Sequence, residues 1–240
     1  MSATIETSFN PALTPGLYLW MRAYCLAFTD TGATTPPANT NTIAVLGAAG
    51  YGDTNYGRNG GGAGTFATGQ QNGLPAIQGD GANILTLDRK VVLAGKFTVY
   101  FTFKRATNKR LYPFGGSGAA NDAPIFIYSD NNVYSRSNGT QVGGNAFTGN
   151  TTWSIARARR DGSNNVKFAA TGMSEITLTT TLSDTINVGA LLGNGGQVSD
   201  TTAYIGEALL VADYDLPTDF PQVDRGLFDY LRRVWAIAYP

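Results

Sequence analysis

Through most of the chain, hydrophobic positions alternate with polar ones in short runs. The clearest run is KFTVYFTFKR, where Phe97, Val99, Phe101 and Phe103 alternate with Thr98, Tyr100, Thr102 and Lys104. Period two is the signature of a strand with one face in a core. Similar runs follow at turn-separated intervals: LPAI, ILTL, PIFIYS, NVYSRS, ITLTTTL, TINVGALLG and AYIGEALLVADYDL. TTWSIARARRDG ends in a turn, and NVKFAATG reads as its hairpin partner. Strands at this spacing predict a sandwich or barrel. Residues 1–16, with Pro11 and Pro15 and little periodicity, read as an extended N-terminal arm. Residues 17–240 read as one β domain. Within it, the glycine-dominated stretch 47–73 is expected to be a long loop with no room for strands beyond a few residues.

The period changes after Pro217. Phe220, Val223, Leu227, Tyr230, Leu231 and Val234 recur at steps of three and four, which predicts an amphipathic helix over 219–235. Thr218 or Asp219 is placed to cap it, and Pro221 falls where the first turn tolerates proline. Asp224 and Asp229 lie toward its start, and Arg232 and Arg233 toward its end, in agreement with the helix dipole. Phe220, Leu227 and Leu231 are expected to lie against a sheet face, so that the helix closes the β structure.

Composition narrows the chemistry. The 240 residues include 17 Lys and Arg, 17 Asp and Glu, and no His. Zero formal charge argues against a nucleic-acid partner, which usually demands a basic surplus. The lack of His removes imidazole metal sites and His-dependent triads. Cys25, the single cysteine, sits in an apolar run and reads as a buried thiol. No stretch is apolar enough to insert in a membrane, and the first residues do not read as a secretory signal. Synthesis in a host cytoplasm without a signal peptide is therefore expected.

Four segments, in order, carry a resemblance. GLYLWMRA with Trp20 is similar to an opening strand motif, and LPAIQGDGANILTL to a strand that passes through a glycine turn into a Leu-ending strand. WSIARARRDGSNNVKFAATG with Trp153 is similar to a central hairpin, and the segment from AYIGEALLVADYDL to VWAI to a closing strand plus short helix. Together they span roughly residues 16–237 and resemble the concanavalin A-like lectin/glucanase jelly roll, in its laminin-G-like branch known from phage and bacterial surface proteins. The fold this implies is an all-β antiparallel β-sandwich with a short C-terminal amphipathic helix.

The catalytic motif that hydrolases of this fold carry, Glu-x-Asp-x-x-Glu on one strand, is absent. Glu207, Asp213 and Asp215 come nearest and would share a strand face. Arg157 and Arg159, with Trp153 and Ile155 on one face, are candidate partners for a buried Glu207, so a structural ion pair is expected and no catalytic residue is assigned. Metal-dependent lectins of this fold use a His that is missing here. Calcium held by oxygens alone keeps two candidate turns, Asp53 with Asn55 and Asp130 with Asn131 and Asn132, each also readable as an ordinary Asx turn. Glycan recognition calls for aromatic rings beside amide, carboxylate or guanidinium groups. Tyr51, Asp53, Asn55, Tyr56 and Arg58 supply both kinds. The same tyrosines could instead pack the loop onto the sandwich or a neighbouring subunit.

Two functions follow. The first is a non-enzymatic structural protein of a phage particle, a head decoration, fibre or tail component in the virion, which contacts other virion proteins and itself. Low charge, near-zero net charge, the proline-punctuated arm and the resemblance favour it. The second is a carbohydrate-binding module or adhesin that recognises a surface glycan.

Overall fold

A computed structural model describes residues 9–49, 54–118, 122–147 and 151–237. One long antiparallel sheet dominates. Its path runs from the edge strand Met173–Thr181 through Asn165–Ala170, Ser154–Arg160, Phe97–Arg105, Ala203–Ala212 and Leu17–Arg22. It continues through Val45–Ala49, Thr54–Arg58, Leu85–Leu93 and Ile186–Leu191 to Phe114–Gly115. The sheet curls back on itself. Phe101, Phe103 and Leu210 from its first half therefore share one core with Leu87, Ile186 and Leu191 from its second. A separate three-stranded sheet, Ala123–Ile127, Asn132–Ser137 and Thr140–Ala146, adds Ile125, Ile127, Val133 and Val142 to this core. The outcome is the curled antiparallel sandwich that the alternating pattern predicts.

The strand Phe97–Arg105 shows why the layer count exceeds what alternation suggests. Its four odd-numbered aromatic and aliphatic residues face the inner core, yet Thr98, Tyr100 and Thr102 are equally buried. They lie under a second core made by Trp20, Tyr100, Ile155, Leu209 and Val211 from the sheet and Leu227, Leu231 and Trp235 from the helix. The helix Pro221–Trp235 follows a single turn, Leu216–Asp219. Leu227 and Leu231 are fully buried, and Phe220 packs edge-on against Tyr214 at 5.1 Å. The expected side-chain cap is absent. The N-cap is Phe220, Thr218 Oγ1 donates to Asp215, and Asp219 accepts from the Asp215 amide and pairs with Lys96 at 2.9 Å.

Two glycines set how closely the helix layer sits. A Cβ on Gly206 would lie 2.0 Å from Trp235 Cη2, so the indole can rest on the closing strand only where that strand has no side chain. A Cβ on Gly226 would lie 2.4 Å from the Phe9 ring. In the segment read as an arm, Pro11–Leu13 form a 3-10 turn opened by Asn10, and Phe9 is held against the helix.

Three expectations change. The glycine-rich stretch 47–73 contains strands, Thr54–Arg58 and Thr65–Ala67, because its glycines serve close packing. A Cβ on Gly57 would meet Leu191 and Leu85 at 3.0 Å. Cys25 is exposed: the first strand ends at Arg22 and alternation ends with it, leaving the thiol on a turn. Arg105 belongs to the basic cluster KRATNKR, residues 104–110, whose charge alone suggests a solvated hairpin end; it is buried, and its Nη1 donates to Lys109 O and to Asn131 Oδ1, both at 3.0 Å.

Candidate functional site

Glu207 is the most deeply buried carboxylate among the described residues with no cation bound to it. Trp20 Nε1 and Tyr230 Oη donate to Oε1 at 2.5 and 3.0 Å, while Trp235 Nε1 donates to Oε2 at 3.0 Å, with Tyr24 Oη at 3.4 Å. Burial pushes the Glu207 carboxyl up against the pull of these donors. Burial and the Glu207 charge push Tyr24 up to about 12. Both carboxylate oxygens are occupied and no solvent reaches them, so the group holds the helix to the sheet.

The expected partnership of Arg157 with Glu207 is replaced by another. Arg157 Nη1 donates to both Asp224 oxygens at 2.9 and 2.8 Å, and Nη2 to Glu175 at 2.7 Å. Arg159 bridges Asp215 and Glu175. Tyr100 Oη donates to Asp224 at 2.5 Å. The reason is position: Asp224 enters from the helix above the Arg strand, while Glu207 lies beyond it under two indoles. Trp153 stacks on Trp235 with centroids 5.1 Å apart. Asp213 does not share the Glu207 face. The strand ends at Ala212, and Asp213 is exposed with φ 69.

Of the five residues proposed for glycan contact, Tyr51 and Asp53 lie outside the described residues. Asn55 is buried, and its amide closes a two-bond bridge to the Arg89 backbone, with Nδ2 donating to Arg89 O at 2.6 Å and Oδ1 accepting from Arg89 N at 3.0 Å. Asn55 thus joins two strands, its amide turned to the backbone of Leu85–Leu93. Arg58 lies over Tyr56 at 4.9 Å, donates to Asp88 at 3.1 Å and also bonds the Thr31 carbonyl. The candidate calcium turn at Asp130 fails for the same kind of reason. Asp130 accepts from the Asn132 amide and from Tyr134 Oη, and Asn131 Oδ1 accepts from Arg105 and Asn108, so the oxygens point to different donors. Among the described residues no group of three acidic or thiol side chains is arranged to hold a metal.

An open cleft of about 360 Å³ lies elsewhere, at one loop end of the sandwich. Its walls are Gly81–Ile84 and Asn194–Val198, with Asn59 and Arg110 between them. Each wall is a turn fixed by a side chain. Asp80 Oδ1 accepts from the Ala82 and Asn83 amides at 2.8 Å, and Asn194 Oδ1 accepts from the Gln197 amide at 2.8 Å. Burial pushes the Asp80 carboxyl up, but these backbone donors outweigh it and hold the group below its ordinary range. Glycine permits the fit: a Cβ on Gly195 would lie 2.4 Å from Gly118 O. Arg110 is oriented by Asp200, with Nη2 donating at 2.8 Å and Nε at 3.3 Å to the same oxygen. Hydrogen bonding to the Asp200 carboxylate raises the guanidinium further, so it stays charged. Asn83 is exposed and keeps its Oδ1 free of partners among the described residues. The site thus presents one fixed cation, amide groups and bare backbone around a volume suited to a small polar ligand.

The sequence reading missed this cleft, since its residues come from four separate segments. The signals present were GDGAN, read only as a turn, and GNGG at 193–196, unsuited to a dinucleotide because no helix follows it.

No protein-family model matches the sequence, and no curated protein matches it. Solved structures do match in fold. A Trypanosoma rangeli sialidase in complex with sialic acid aligns with a TM-score of 0.50 at 9% identity, over 93% of this chain and 34% of the sialidase chain. The protein therefore spans about a third of that enzyme's length. A Ruminococcus gnavus IT-sialidase CBM40 bound to α2,3-sialyllactose aligns at 0.42 with 13% identity, over 63% of this chain and 95% of that one. The receptor binding domain of a botulinum neurotoxin C/D mosaic serotype aligns at 0.45 with 10% identity, over 88% and 51%. The fold is a concanavalin A-like jelly-roll β-sandwich. The expectation of a virion structural protein is corrected here: the fold's match at 0.50 is a sialidase in complex with sialic acid, which points away from a phage structural role.

Proposed function

We propose that the protein is a carbohydrate-binding β-sandwich module that takes a glycan into the loop-end cleft without turning it over. The carrying observation is the cleft itself: a charged Arg110 held by Asp200, the unpartnered Oδ1 of Asn83, and turn backbone laid bare by Gly81, Gly195 and Gly196. Sugars offer dense arrays of hydroxyls and are recognised by such fixed, polar, largely preformed groups. That a sialidase of similar fold holds sialic acid supports a sugar as ligand. The order of the Trp20, Gly-turn, Trp153 and closing-helix segments supports the laminin-G-like branch of the fold. A non-catalytic role agrees with Glu207, which is sealed under two indoles.

The test is a glycan array probed with the whole chain, followed by calorimetry on its hits. Specific binding that Asn83→Ala and Arg110→Gln both weaken, with melting temperature unchanged for Asn83→Ala, supports the cleft. A blank array, or hits indifferent to both substitutions, contradicts it.

A further inference from the structure

We infer that the ligand is an acidic oligosaccharide of at least two units, whose second ring lies on an aromatic platform beside the cleft made by Tyr128 and Tyr134. The inference rests on the cleft reading above and extends it to a second subsite.

The small sheet has two unlike faces. One enters the main core through Ile125, Val133 and Val142. The other carries Phe126, Tyr134 and Arg136, the last two sharing a face two residues apart. On that face the rings form a stack that starts inside the protein and ends at its surface. Tyr112 and Phe126 are fully buried and stacked at 4.8 Å, and Phe126 stacks on Tyr134 at 5.5 Å. Tyr128 stands edge-on to both Phe126 and Tyr134 at 6.4 Å. Tyr128 and Tyr134 are only half-buried. Opposite Tyr134 in the neighbouring strand is Gly143, so no side chain from that position covers the ring. Tyr134 Oη is held by Asp130 at 2.6 Å, which fixes the ring before any ligand arrives.

Cleft and platform share a wall. Gln197 lines the cleft, its Nε2 donates to Tyr128 Oη at 3.2 Å, and its Oε1 accepts from Tyr112 Oη. A chain of sugars leaving the cleft past Gln197 meets Tyr128 and Tyr134 next. The apolar C–H face of a sugar suits an aromatic ring, and a fixed tyrosine supplies it at little entropic cost. Charge decides the class. Arg110 is matched by Asp200, but Arg136, whose Cζ lies 5.6 Å from the Phe126 centroid, bonds only the neutral Gln141 and pairs with no carboxylate among the described residues. A carboxylate or sulfate on the saccharide would meet this unmatched cation.

Calorimetry on the full chain with α2,3-sialyllactose, lactose and free N-acetylneuraminic acid tests this. The expected result is that the acidic trisaccharide binds at least tenfold tighter than either other sugar. Tyr134→Ala and Tyr128→Ala should each remove most of that advantage without changing affinity for the monosaccharide, Tyr134→Phe, which keeps the ring and loses only its tie to Asp130, should keep most of it, and Arg136→Gln should erase the preference over lactose. Equal affinity for one unit and three, or an advantage that survives both alanine substitutions, overturns the second subsite. If Tyr134→Ala does not fold, Tyr128→Ala decides alone. A positive array with none of these three sugars bound overturns this inference and leaves the cleft reading standing, whereas a blank array overturns both.

Discussion

The face under the C-terminal helix and the cleft at the loop end use similar polar residues and differ in where their hydrogen bonds go. Under the helix, Glu207 receives two indoles and two tyrosines, and Arg157 and Arg159 pair with Asp215, Asp224 and Glu175. Bonded within the protein in this way, these groups keep the helix in register and leave nothing for a ligand. In the cleft, Asp80, Asn194 and Asp200 serve as braces, and the groups they brace, Asn83, Arg110 and the glycine backbone, face open volume. Burial and a shifted carboxyl are thus poor guides to function here, because Glu207, the carboxyl that burial raises, has both oxygens bonded within the protein.

The largest effect that separates the two regions should come from Trp235→Ala. The indole is fully buried, stacks on Trp153 and donates to Glu207, so its removal should cost about 3–5 kcal/mol of stability. Denaturant unfolding measures this, and glycan affinity of the folded fraction should not change. Loss of binding with little loss of stability would assign the helix face a functional role.

Glu207→Gln is next, at about 2 kcal/mol, since the amide carries two N–H donors among the indoles and phenols where a protonated carboxyl carries one. Its pH dependence carries a sign. Burial raises the folded carboxyl above its ordinary 4.5, so the folded state holds the proton more tightly than the unfolded chain. The stabilisation linked to this proton is complete below pH 4.5 and is lost as pH rises through the raised value. The stability gap between the parent and Glu207→Gln should therefore be widest in acid and narrow toward neutrality. A gap that widens with pH would reverse the assignment.

Asn83→Ala should weaken glycan binding about tenfold, or ~1.4 kcal/mol, while changing stability by less than ~0.5 kcal/mol. Titration calorimetry and thermal melts together check the pair of outcomes. The smallest effect concerns the N-terminal segment. Phe9→Ala should cost about 1 kcal/mol, as half of a phenylalanine's burial is lost beside Gly226. If chemical denaturation shows no cost, the segment contributes no packing to the helix.

The sequence shows the frame more plainly than the site. The alternation of Phe97 to Phe103 and the three-and-four spacing of Leu227 and Leu231 are local, and local periodicity reports which face is buried. The same periodicity misleads where a second layer covers the outer face, as it does at Thr98, Tyr100 and Thr102, whose polarity suggests solvent. Glycine was informative in a different sense. The stretch around Gly57 looks like a loop because glycine weakens strands, yet it is a strand in which glycine lets Leu85 and Leu191 approach. The cleft was illegible because Asn83, Arg110 and Gln197 lie far apart along the chain and carry no shared motif. Only the meeting of the 79–84 and 193–198 turns brings them together.

Hydrogen–deuterium exchange of the full chain, with and without saturating α2,3-sialyllactose, tests the central claim most directly. The account predicts new protection confined to residues 79–84, 110–112, 128–136 and 194–198, with exchange in Pro221–Trp235 and Thr54–Arg58 unaltered. Protection centred on the helix or on Thr54–Arg58, with none in the cleft, would contradict it.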